Sequence, residues 1–365
     1  MLSCPHMEPK TLEFHRILIV KLSALGDILH ALPVVSYLRR AAPAAELHWA
    51  VDASFAEILA GNPGIARVVP LPIREWKGRA GSPATWREAR DAARALRREG
   101  YDAAFDIQGN IKSGLVTRLS GAPLRVGFDR EGVRESPNLL FTNCKVRLLP
   151  EDRHISRKYL RVVGDLFDIP FDAGDLAPSL PIAREQLAAA GPLVRELLAD
   201  AAPRMALHPG SSWPTKTMPP AFWAGAIRAL RRSRPGLGVV ISWGSEEERR
   251  EAQEIRASTG GAVVPLPRLP LMTLAAVYRE CGYVMAPDTG PLHLAAAAGA
   301  RTVSVFRATA GERNAPAGPS HRFLQAPMEC AACLRRTCDR DRECRASLLP
   351  DDAAALMDGL MSFPV

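Results

Sequence analysis

One carboxylate lies where this sequence would be expected to hold a phosphate. The stretch RILIVKLSALGDILHALPVV (16–35) has the pattern of the strand, loop and helix that open a nucleotide-binding domain. Its loop lacks phosphate-cradling glycines and ends at Asp27. The positive end of a helix keeps such a carboxylate ionised, and an ionised carboxylate facing a cleft can act as a general base. The alternative is an ordinary aspartate that caps its helix.

Two loops in the second half of the chain have the composition of a phosphate site. The first, LHPGSSWPTK (207–216), leaves a predicted strand through a glycine and then offers Ser211, Ser212 and Lys216. Successive backbone N–H groups in such a loop can form an anion-binding nest, and the lysine adds a point charge for a phosphate. The alternative is a tight turn with solvated side chains.

The second loop, APDTGPLHLAAA (286–297), passes from a predicted strand into a helix that starts near Pro291. The free N–H groups and partial positive charge of a helix N-terminus suit a diphosphate. The candidate residues at this junction are Asp288, Thr289, Gly290 and His293. A neutral histidine there can hydrogen-bond a sugar or a phosphate. The alternative is that the aspartate or threonine only caps the helix and that the histidine is a surface residue.

A run of three glutamates, Glu246 to Glu248, follows another predicted strand end at Gly244. A carboxylate at this place can accept hydrogen bonds from both ribose hydroxyls of a nucleotide, and Glu247 is the candidate for that contact. An acidic first turn that stabilises its own helix explains at least two of the three glutamates.

Basic side chains gather at predicted loop positions in the first half of the chain. They are Lys21, Arg74, Lys77, Lys112, Arg125 and Arg134. Two of the segments that carry them, IREWKG (73–78) and DIQGNIKSG (106–114), follow predicted strand ends. Such a group of cations would suit an anionic acceptor. The alternative is scattered, solvated charge, which holds for many of the 47 lysines and arginines.

Short β-rich segments alternate with longer helical segments along the chain, which is the pattern of parallel sheets covered by helices on both faces. Predicted strands include 16–20, 46–52 and 301–306, and predicted helices include Ile28 to Arg40 and 220–233. The alternation stops at a linker rich in Pro, Asp and Gly (171–187) and then restarts. The sequence therefore predicts an α/β protein with two Rossmann-like, doubly wound domains that face each other across a cleft. They are residues 1–175 and 176–326, followed by a Cys-rich tail and C-terminal helix at 327–365.

The composition narrows the class of protein. An apolar fraction of 47% and a charged fraction of 24% are ordinary for a globular chain. No apolar run reaches the roughly 18 residues that span a bilayer, and MLSCPHMEPK is no signal peptide, so a cytoplasmic protein is predicted. The formal charge of +8 favours acidic partners: phosphorylated small molecules, an anionic membrane surface or nucleic acid. Nucleic acid ranks last because only 6% of residues are aromatic.

Four motifs together resemble a known family. ILIVKLSALGDILHALP, DIQGNIKSG, HPGSSWPTKTMP and APDTGPLHLAAAAG occur in the order typical of the ADP-heptose:lipopolysaccharide heptosyltransferases, glycosyltransferase family 9, which have the GT-B fold. The resemblance runs from about Arg16 to Phe306. DIQGNIKSG, IREWKG and GFDREGVRESPNLLFTN (127–143) are most similar to the heptosyltransferase I branch, which adds the first heptose to the Kdo of the inner core.

The resemblance implies a role for each matching residue. Asp27 is implied to be the base that deprotonates the acceptor hydroxyl. The implied donor-binding residues are Ser211, Ser212, Lys216, Glu247, Asp288, Thr289, Gly290 and His293. The implied acceptor-binding residues are Lys21, Ser23, Arg74, Lys77 and Arg134.

The implied reaction is the inverting transfer of L-glycero-D-manno-heptose from ADP-heptose to the Kdo or inner core of Gram-negative lipopolysaccharide. The C-terminal domain would hold the donor, the N-terminal domain the acceptor, and closure would exclude water. Lys216 and the helix at Pro291 would stabilise the leaving diphosphate, so no cofactor is required. The implied partners are ADP-heptose, a Kdo-lipid A or inner-core acceptor and, peripherally, the cytoplasmic face of the inner membrane, with no nucleic acid.

Two segments depart from the family pattern. RATAGERNAP (307–316) stands where the family usually has a Gly-Pro-Thr-like turn, and the tail MECAACLRRTCDRDRECRASL (328–348) differs from the enterobacterial first-heptose enzyme. Two alternatives therefore remain. The chain could resemble heptosyltransferase II in its acceptor, or it could be another GT-B glycosyltransferase with a different sugar nucleotide.

The tail contains a cysteine cluster, Cys330, Cys333, Cys338 and Cys344, with the spacing C-x2-C-x4-C-x5-C. Four thiolates at such a spacing could coordinate a structural zinc or iron ion tetrahedrally. Disulfides and free thiols are the alternatives that the sequence leaves open.

Overall fold

The structure, a computed structural model, describes residues 13–167 and 169–362. The chain divides into two compact units between Pro178 and Ser179. Each unit is built on one six-stranded sheet in which all neighbouring strands are parallel. The predicted α/β class with two doubly wound parallel sheets is therefore confirmed.

The sheet of the first unit has the strand order β3-β2-β1-β4-β5-β6. Its strands are β1 (Arg16–Val20), β2 (Glu46–Asp52), β3 (Arg67–Leu71), β4 (Ala103–Asp106), β5 (Leu124–Phe128) and β6 (Cys144–Val146). Residues 17–20 of β1 are fully buried, as expected for a central strand covered on both faces. The order reverses between β1 and β4, and ligands of such sheets bind at the strand ends beside this switch point.

Seven α-helices accompany this sheet within residues 13–167. They are α1 (Leu25–Ala31), α2 (Pro33–Ala41), α3 (Ala56–Leu59), α4 (Ile73–Gly78), α5 (Pro83–Arg98), α6 (Ile111–Leu119) and α7 (Ile155–Gly164). The sequence predicted one helix from Ile28 to Arg40, but the chain forms two, because Pro33 has no N–H to continue the first. The segment 73–78, predicted as a loop, is the short helix α4.

The sheet of the second unit has the order β12-β11-β10-β7-β8-β9, which is the same topology when the strands are counted within the unit. Its strands are β7 (Arg204–Leu207), β8 (Gly238–Ile241), β9 (Val263–Pro265), β10 (Tyr283–Pro287), β11 (Arg301–Phe306) and β12 (His321–Gln325). Its helices are α8 (Arg184–Leu198), α9 (Pro220–Ser233), α10 (Glu246–Ser258), α11 (Leu271–Cys281), α12 (Gly290–Ala297), α13 (Gly311–Asn314), α14 (Asp341–Ala346) and α15 (Pro350–Ser362). Its switch point lies between β7 and β10.

The C-terminal tail belongs to the second unit. Helix α15 buries Met357 and Leu360 in the same apolar cluster as Ile227 and Leu230 of α9. The segment from 327 onward, predicted as a separate third part, therefore completes the core of this unit. Among the described residues, no helix is long and apolar enough to cross a membrane.

Candidate active site

A buried carboxylate organises the switch point of the second unit. Asp288 follows β10 and is only 5% exposed. Its Oδ2 accepts hydrogen bonds from Lys216 Nζ at 2.8 Å and from Thr309 Oγ1 at 2.6 Å. His293 Nε2 lies 3.3 Å from its Oδ1. Two segments that are distant in the sequence, those of Lys216 and Thr309, thus converge with the start of α12 on one side chain.

The pKa of Asp288 follows from these contacts. Burial raises it, but the hydrogen bond from His293 and the charges of His293 and Lys216 outweigh burial and hold it well below its usual range. The carboxylate is therefore ionised at neutral pH. Through these contacts Asp288 fixes the positions of Lys216 and His293.

The elements on both sides of Asp288 present hydrogen-bond donors. Helix α12 begins at Gly290, and the side chain of its N-cap residue, Thr289, makes no capping hydrogen bond. That side chain therefore does not occupy the first N–H groups of the helix, which can bind a ligand. His293 is buried, so the alternative of a surface histidine is wrong.

Lys216 is held from its other side as well. Residues 208–217, called here the Lys216 loop, leave β7 and end in a 3-10 helix at Pro214–Lys216. The Nζ of Lys216 lies 4.8 Å from the ring centre of Trp213. Ser211 Oγ lies 3.5 Å from the carbonyl oxygen of Asp288, and Ser212 is exposed. The predicted Lys216 and Asp288 loops therefore meet at one place.

Two residues that the sequence reasoning missed lie in the segment that departs from the family pattern. Thr309 donates to Asp288, as described above. The guanidinium of Arg307 is buried, donates to the carbonyl oxygen of Thr217 at 2.7 Å and forms an ion pair with Asp341. Arg307 thus ties the end of the Lys216 loop to α14.

The cysteine-bearing segment packs against the same loop. Ala332 N donates to the carbonyl oxygen of Arg307 at 2.9 Å, and Thr215 Oγ1 donates to that of Arg335 at 2.6 Å. The guanidinium of Arg336 lies 4.9 Å from the ring centre of Trp213. The tail therefore supports the loop that carries Lys216.

The four tail cysteines carry free thiols in the structure. No group of three or more His, Cys, Asp or Glu side chains within residues 13–167 and 169–362 is arranged to hold a metal ion. The arrangement therefore fits the free-thiol alternative and does not fit a tetrahedral metal centre.

The predicted ribose contact, Glu247, and the next residue, Glu248, have different surroundings. Glu247 is on the exposed surface of α10. The carboxylate of Glu248 accepts from Gly244 N at 2.6 Å and lies so close to Gly210 that a Cβ at position 210 would overlap it. Ser245 Oγ in turn accepts from Glu248 N at 3.2 Å. The spacing Ser-x-x-Glu is typical of a capping box, so Glu248 is engaged at the start of α10, and the ribose contact of Glu247 stays a prediction.

At the switch point of the first unit, Asp27 lies in the first turn of α1. Its Oδ1 accepts from Tyr159 Oη at 3.2 Å, and its Oδ2 accepts from Ala24 N at 3.4 Å. Asp27 is partly exposed, in contrast to Asp288. Asp27 thus makes the hydrogen bond expected of a capping residue. The residue is still partly exposed.

Tyr159 joins Asp27 to a second predicted residue. Lys21 is only 2% exposed, and its Nζ donates to Tyr159 Oη at 2.8 Å. The predicted acceptor-binding lysine is thus buried behind Asp27. Sequence reasoning missed Tyr159, because α7 carries no recognisable motif.

The motif DIQGN holds the loop that carries Asp27. Gln108 Oε1 accepts from Leu22 N at 2.7 Å and from Ser23 N at 3.1 Å. Asp106 is fully buried and accepts from the backbone N–H groups of Gln108 and Gly109 at 3.0 and 2.9 Å. Burial raises the pKa of Asp106, although these hydrogen bonds oppose the shift. The predicted motif is therefore a support for the loop.

The remaining predicted acceptor residues are exposed cations. Arg74 and Lys77 lie on α4, and Arg134 is anchored by its backbone N–H, which donates to Gly109 at 3.1 Å. The guanidinium of Arg74 lies 4.7 Å from the ring centre of Phe55. These cations are available to an anionic ligand.

The family model for glycosyltransferase family 9 (heptosyltransferase) matches residues 89–342. Lipopolysaccharide heptosyltransferase 1 of Pseudomonas aeruginosa is 34% identical over 88% of this chain and 87% of its own length. The chain belongs to glycosyltransferase family 9. The predicted family and the predicted glycosyltransferase activity are therefore confirmed.

Solved structures of this family share the fold. Escherichia coli heptosyltransferase WaaC with ADP is 25% identical, with a TM-score of 0.73 over 94% of this chain and 99% of that one. WaaC with ADP-2-deoxy-2-fluoro heptose is 28% identical, with a TM-score of 0.67 over 86% and 93%. The GT-B fold that the motifs implied is thus confirmed for this family 9 chain.

Proposed function

We propose that this family 9 chain transfers L-glycero-D-manno-heptose from ADP-heptose to the Kdo of the lipopolysaccharide inner core, with inversion at the anomeric carbon. The observation that carries the proposal is the cluster of Lys216, His293 and Thr309 around Asp288, at the N-terminus of α12. The names of the relatives and the ADP-containing structures of WaaC support the same donor.

The second unit is proposed to bind the donor. The diphosphate would lie on Lys216, Ser211, Ser212 and the N–H groups that open α12. Thr289, Gly290 and His293 would contact the phosphate next to the heptose, and Glu247 or Glu248 the ribose. As the bond to heptose breaks, negative charge grows on the leaving ADP, and the fixed charge of Lys216 stabilises it. No cofactor takes part in the proposed reaction.

The first unit is proposed to bind the acceptor. Arg74, Lys77 and Arg134 would hold its anionic groups, and Asp27 would take the proton of the attacking hydroxyl. Tyr159 would orient the Asp27 carboxylate from one side for this proton transfer. The hydroxyl then attacks heptose from the face opposite ADP, which inverts the configuration.

The enzyme is further proposed to work at the cytoplasmic face of the inner membrane of a Gram-negative cell. Its acceptor is anchored there, and the formal charge of +8 favours contact with an anionic surface. Salt-insensitive co-sedimentation with vesicles, or equal binding to neutral and anionic vesicles, would contradict this electrostatic contact.

The test is ADP release from ADP-heptose in the presence of Kdo-lipid A. Turnover with this pair, and none with ADP-glucose or with an acceptor that already carries the first heptose, is expected. Turnover only with the heptose-bearing acceptor would indicate a heptosyltransferase II-like role. Turnover only with another sugar nucleotide would overturn the donor assignment.

A further inference from the structure

An apolar groove in the first unit has no role in the proposed chemistry. It lies among α4, α5 and α6 and has a volume of about 210 Å³. Its walls include Ile73 and Trp76 from α4, Trp86 from α5 and Leu115 and Leu119 from α6. Almost all of the surface of the groove is apolar.

The rim of the groove is unusually exposed for apolar residues. Trp86 is 68% exposed, Leu115 47% and Leu119 40%. Ile111, at the start of α6, is exposed as well. Single exposed apolar residues are common, but a contiguous group of them beside a groove marks an interaction site.

Positive charge adjoins the groove on the same helices. Ile73 and Trp76 of α4 line it, while Arg74 and Lys77 of the same helix are exposed cations. Lys112 lies at the groove, one helical turn before Leu115 on α6. Residues 73–119 contain ten Lys and Arg against six Asp and Glu. The surface therefore combines an apolar groove with a cationic border.

An acidic side chain of α5, Glu88, is already engaged. Glu88 Oε2 accepts from Trp76 Nε1 at 3.0 Å and from Arg79 Nη2 at 3.3 Å. Glu75 of α4 also pairs with Arg79, at 3.7 Å, so both acids face Arg79 and the other cations of the border remain for an outside anion. The pattern matches an amphiphile with an anionic head and a hydrocarbon tail.

We infer that the groove binds an acyl chain of the lipid-linked acceptor while the cations of α4 hold its anionic head. This inference rests on the proposed function, because the acceptor named there is a lipid. The acceptor chain is favoured over bulk membrane lipid since one short helix, α4, carries both the groove wall and the predicted acceptor contacts. Each buried methylene group adds about fourfold to affinity, so even a short length of chain would lower the KM for the acceptor.

The double variant Trp86→Gln/Leu115→Gln tests the groove. Both sites are exposed helix positions, and glutamine is a good helix former, so the fold is retained. Leu140→Gln is the matched control, because Leu140 is 83% exposed in the same unit and does not line the groove. Each protein is assayed in one detergent with Kdo-lipid A and with the same acceptor stripped of its acyl chains.

We expect kcat/KM for the acylated acceptor to fall roughly tenfold in the double variant, through KM, and to be unchanged for the deacylated acceptor. The control should match the wild type on both acceptors. An unchanged value on both acceptors, or an equal fall on both, would overturn the inference.

Two further results distinguish this inference from binding of bulk lipid and from failure of the proposed function. If the double variant loses binding to phosphatidylglycerol vesicles that contain no acceptor and keeps wild-type kcat/KM in detergent, the groove binds bulk lipid and the inference is wrong. If the wild type turns over neither acceptor, the proposed function fails instead. Calorimetric binding of the two acceptors then tests the groove, with the same contrast between acylated and deacylated forms expected.

Discussion

The two units have the same strand order, and each places one aspartate at its switch point, but the two carboxylates differ in their surroundings. Asp288 is buried and held by Lys216, Thr309 and His293. Asp27 is partly exposed and accepts from a tyrosine hydroxyl and a backbone N–H. The first arrangement uses a carboxylate to fix the positions of Lys216 and His293, whereas the second keeps a carboxylate partly exposed, which suits the proposed general base.

This difference shows how one topology supports two tasks. The strand ends fix where a side chain can meet a ligand, and the neighbouring segments decide what that side chain can do. In the second unit three partners hold the acid in place, and the charge of Lys216 balances it. In the first unit Lys21 is buried, and Tyr159 Oη links its Nζ to the Asp27 carboxylate.

The largest effect is expected for Asp27→Asn, which keeps the shape of the side chain and removes the base. Turnover in the ADP-release assay should fall by about 10²- to 10⁴-fold, the usual contribution of a general base. Asp91→Asn, at an exposed site on α5, is the control and should behave as the wild type. A fall of less than tenfold for Asp27→Asn would contradict the role of Asp27 as the general base.

Lys216→Met should lower kcat/KM for ADP-heptose by about 10²-fold, because it removes the charge that faces the leaving diphosphate. Lys77→Met provides the contrast in the first unit. It should raise the KM for the acceptor and leave the KM for ADP-heptose unchanged. Normal donor kinetics in Lys216→Met would contradict the assignment of the second unit.

Arg307→Lys should raise the KM for ADP-heptose roughly tenfold, since lysine lacks the planar fork that ties Thr217 to Asp341. Arg322→Lys, on the exposed side of β12, is the matched control. A fall in melting temperature with an unchanged KM would mean that Arg307 stabilises the unit without positioning the Lys216 loop.

Tyr159→Phe is expected to have the smallest effect, a fall in kcat of about threefold to tenfold. It removes one hydrogen bond to Asp27 and keeps the packing of the ring. Tyr101→Phe, which removes a hydroxyl bonded to His48 at 3.0 Å in the same unit, should leave kcat unchanged. Equal effects of the two substitutions would argue for a general structural role.

The sequence was informative wherever a local pattern controls the structure. The bounds of β1, β2, β11 and α9 were predicted to the residue, because buried parallel strands form continuous apolar runs and the helix carries a clear apolar face. The linker was less well bounded, since α8 begins at Arg184 inside the predicted segment. Helix α4 was missed because six residues are too few to show a helical period.

The partners of the candidate site residues were beyond the reach of the sequence. Asp27 and Tyr159 are separated by 132 positions, and Lys216 and Asp288 by 72. No local spacing can indicate such contacts. The sequence does distinguish two of the glutamates, because the Ser-x-x-Glu pattern that ends at Glu248 is a capping signal, and Glu247 as the ribose contact stays a prediction.

The central claim is that the two aspartates have different tasks, and calorimetric titration of ADP into Asp27→Asn and Asp288→Asn tests it most directly. The Kd for ADP should be unchanged in Asp27→Asn. It should rise about tenfold or more in Asp288→Asn, because a neutral amide holds Lys216 and His293 more weakly. If Asp27→Asn weakens ADP binding as much as Asp288→Asn does, Asp27 belongs to the donor site and the account is wrong.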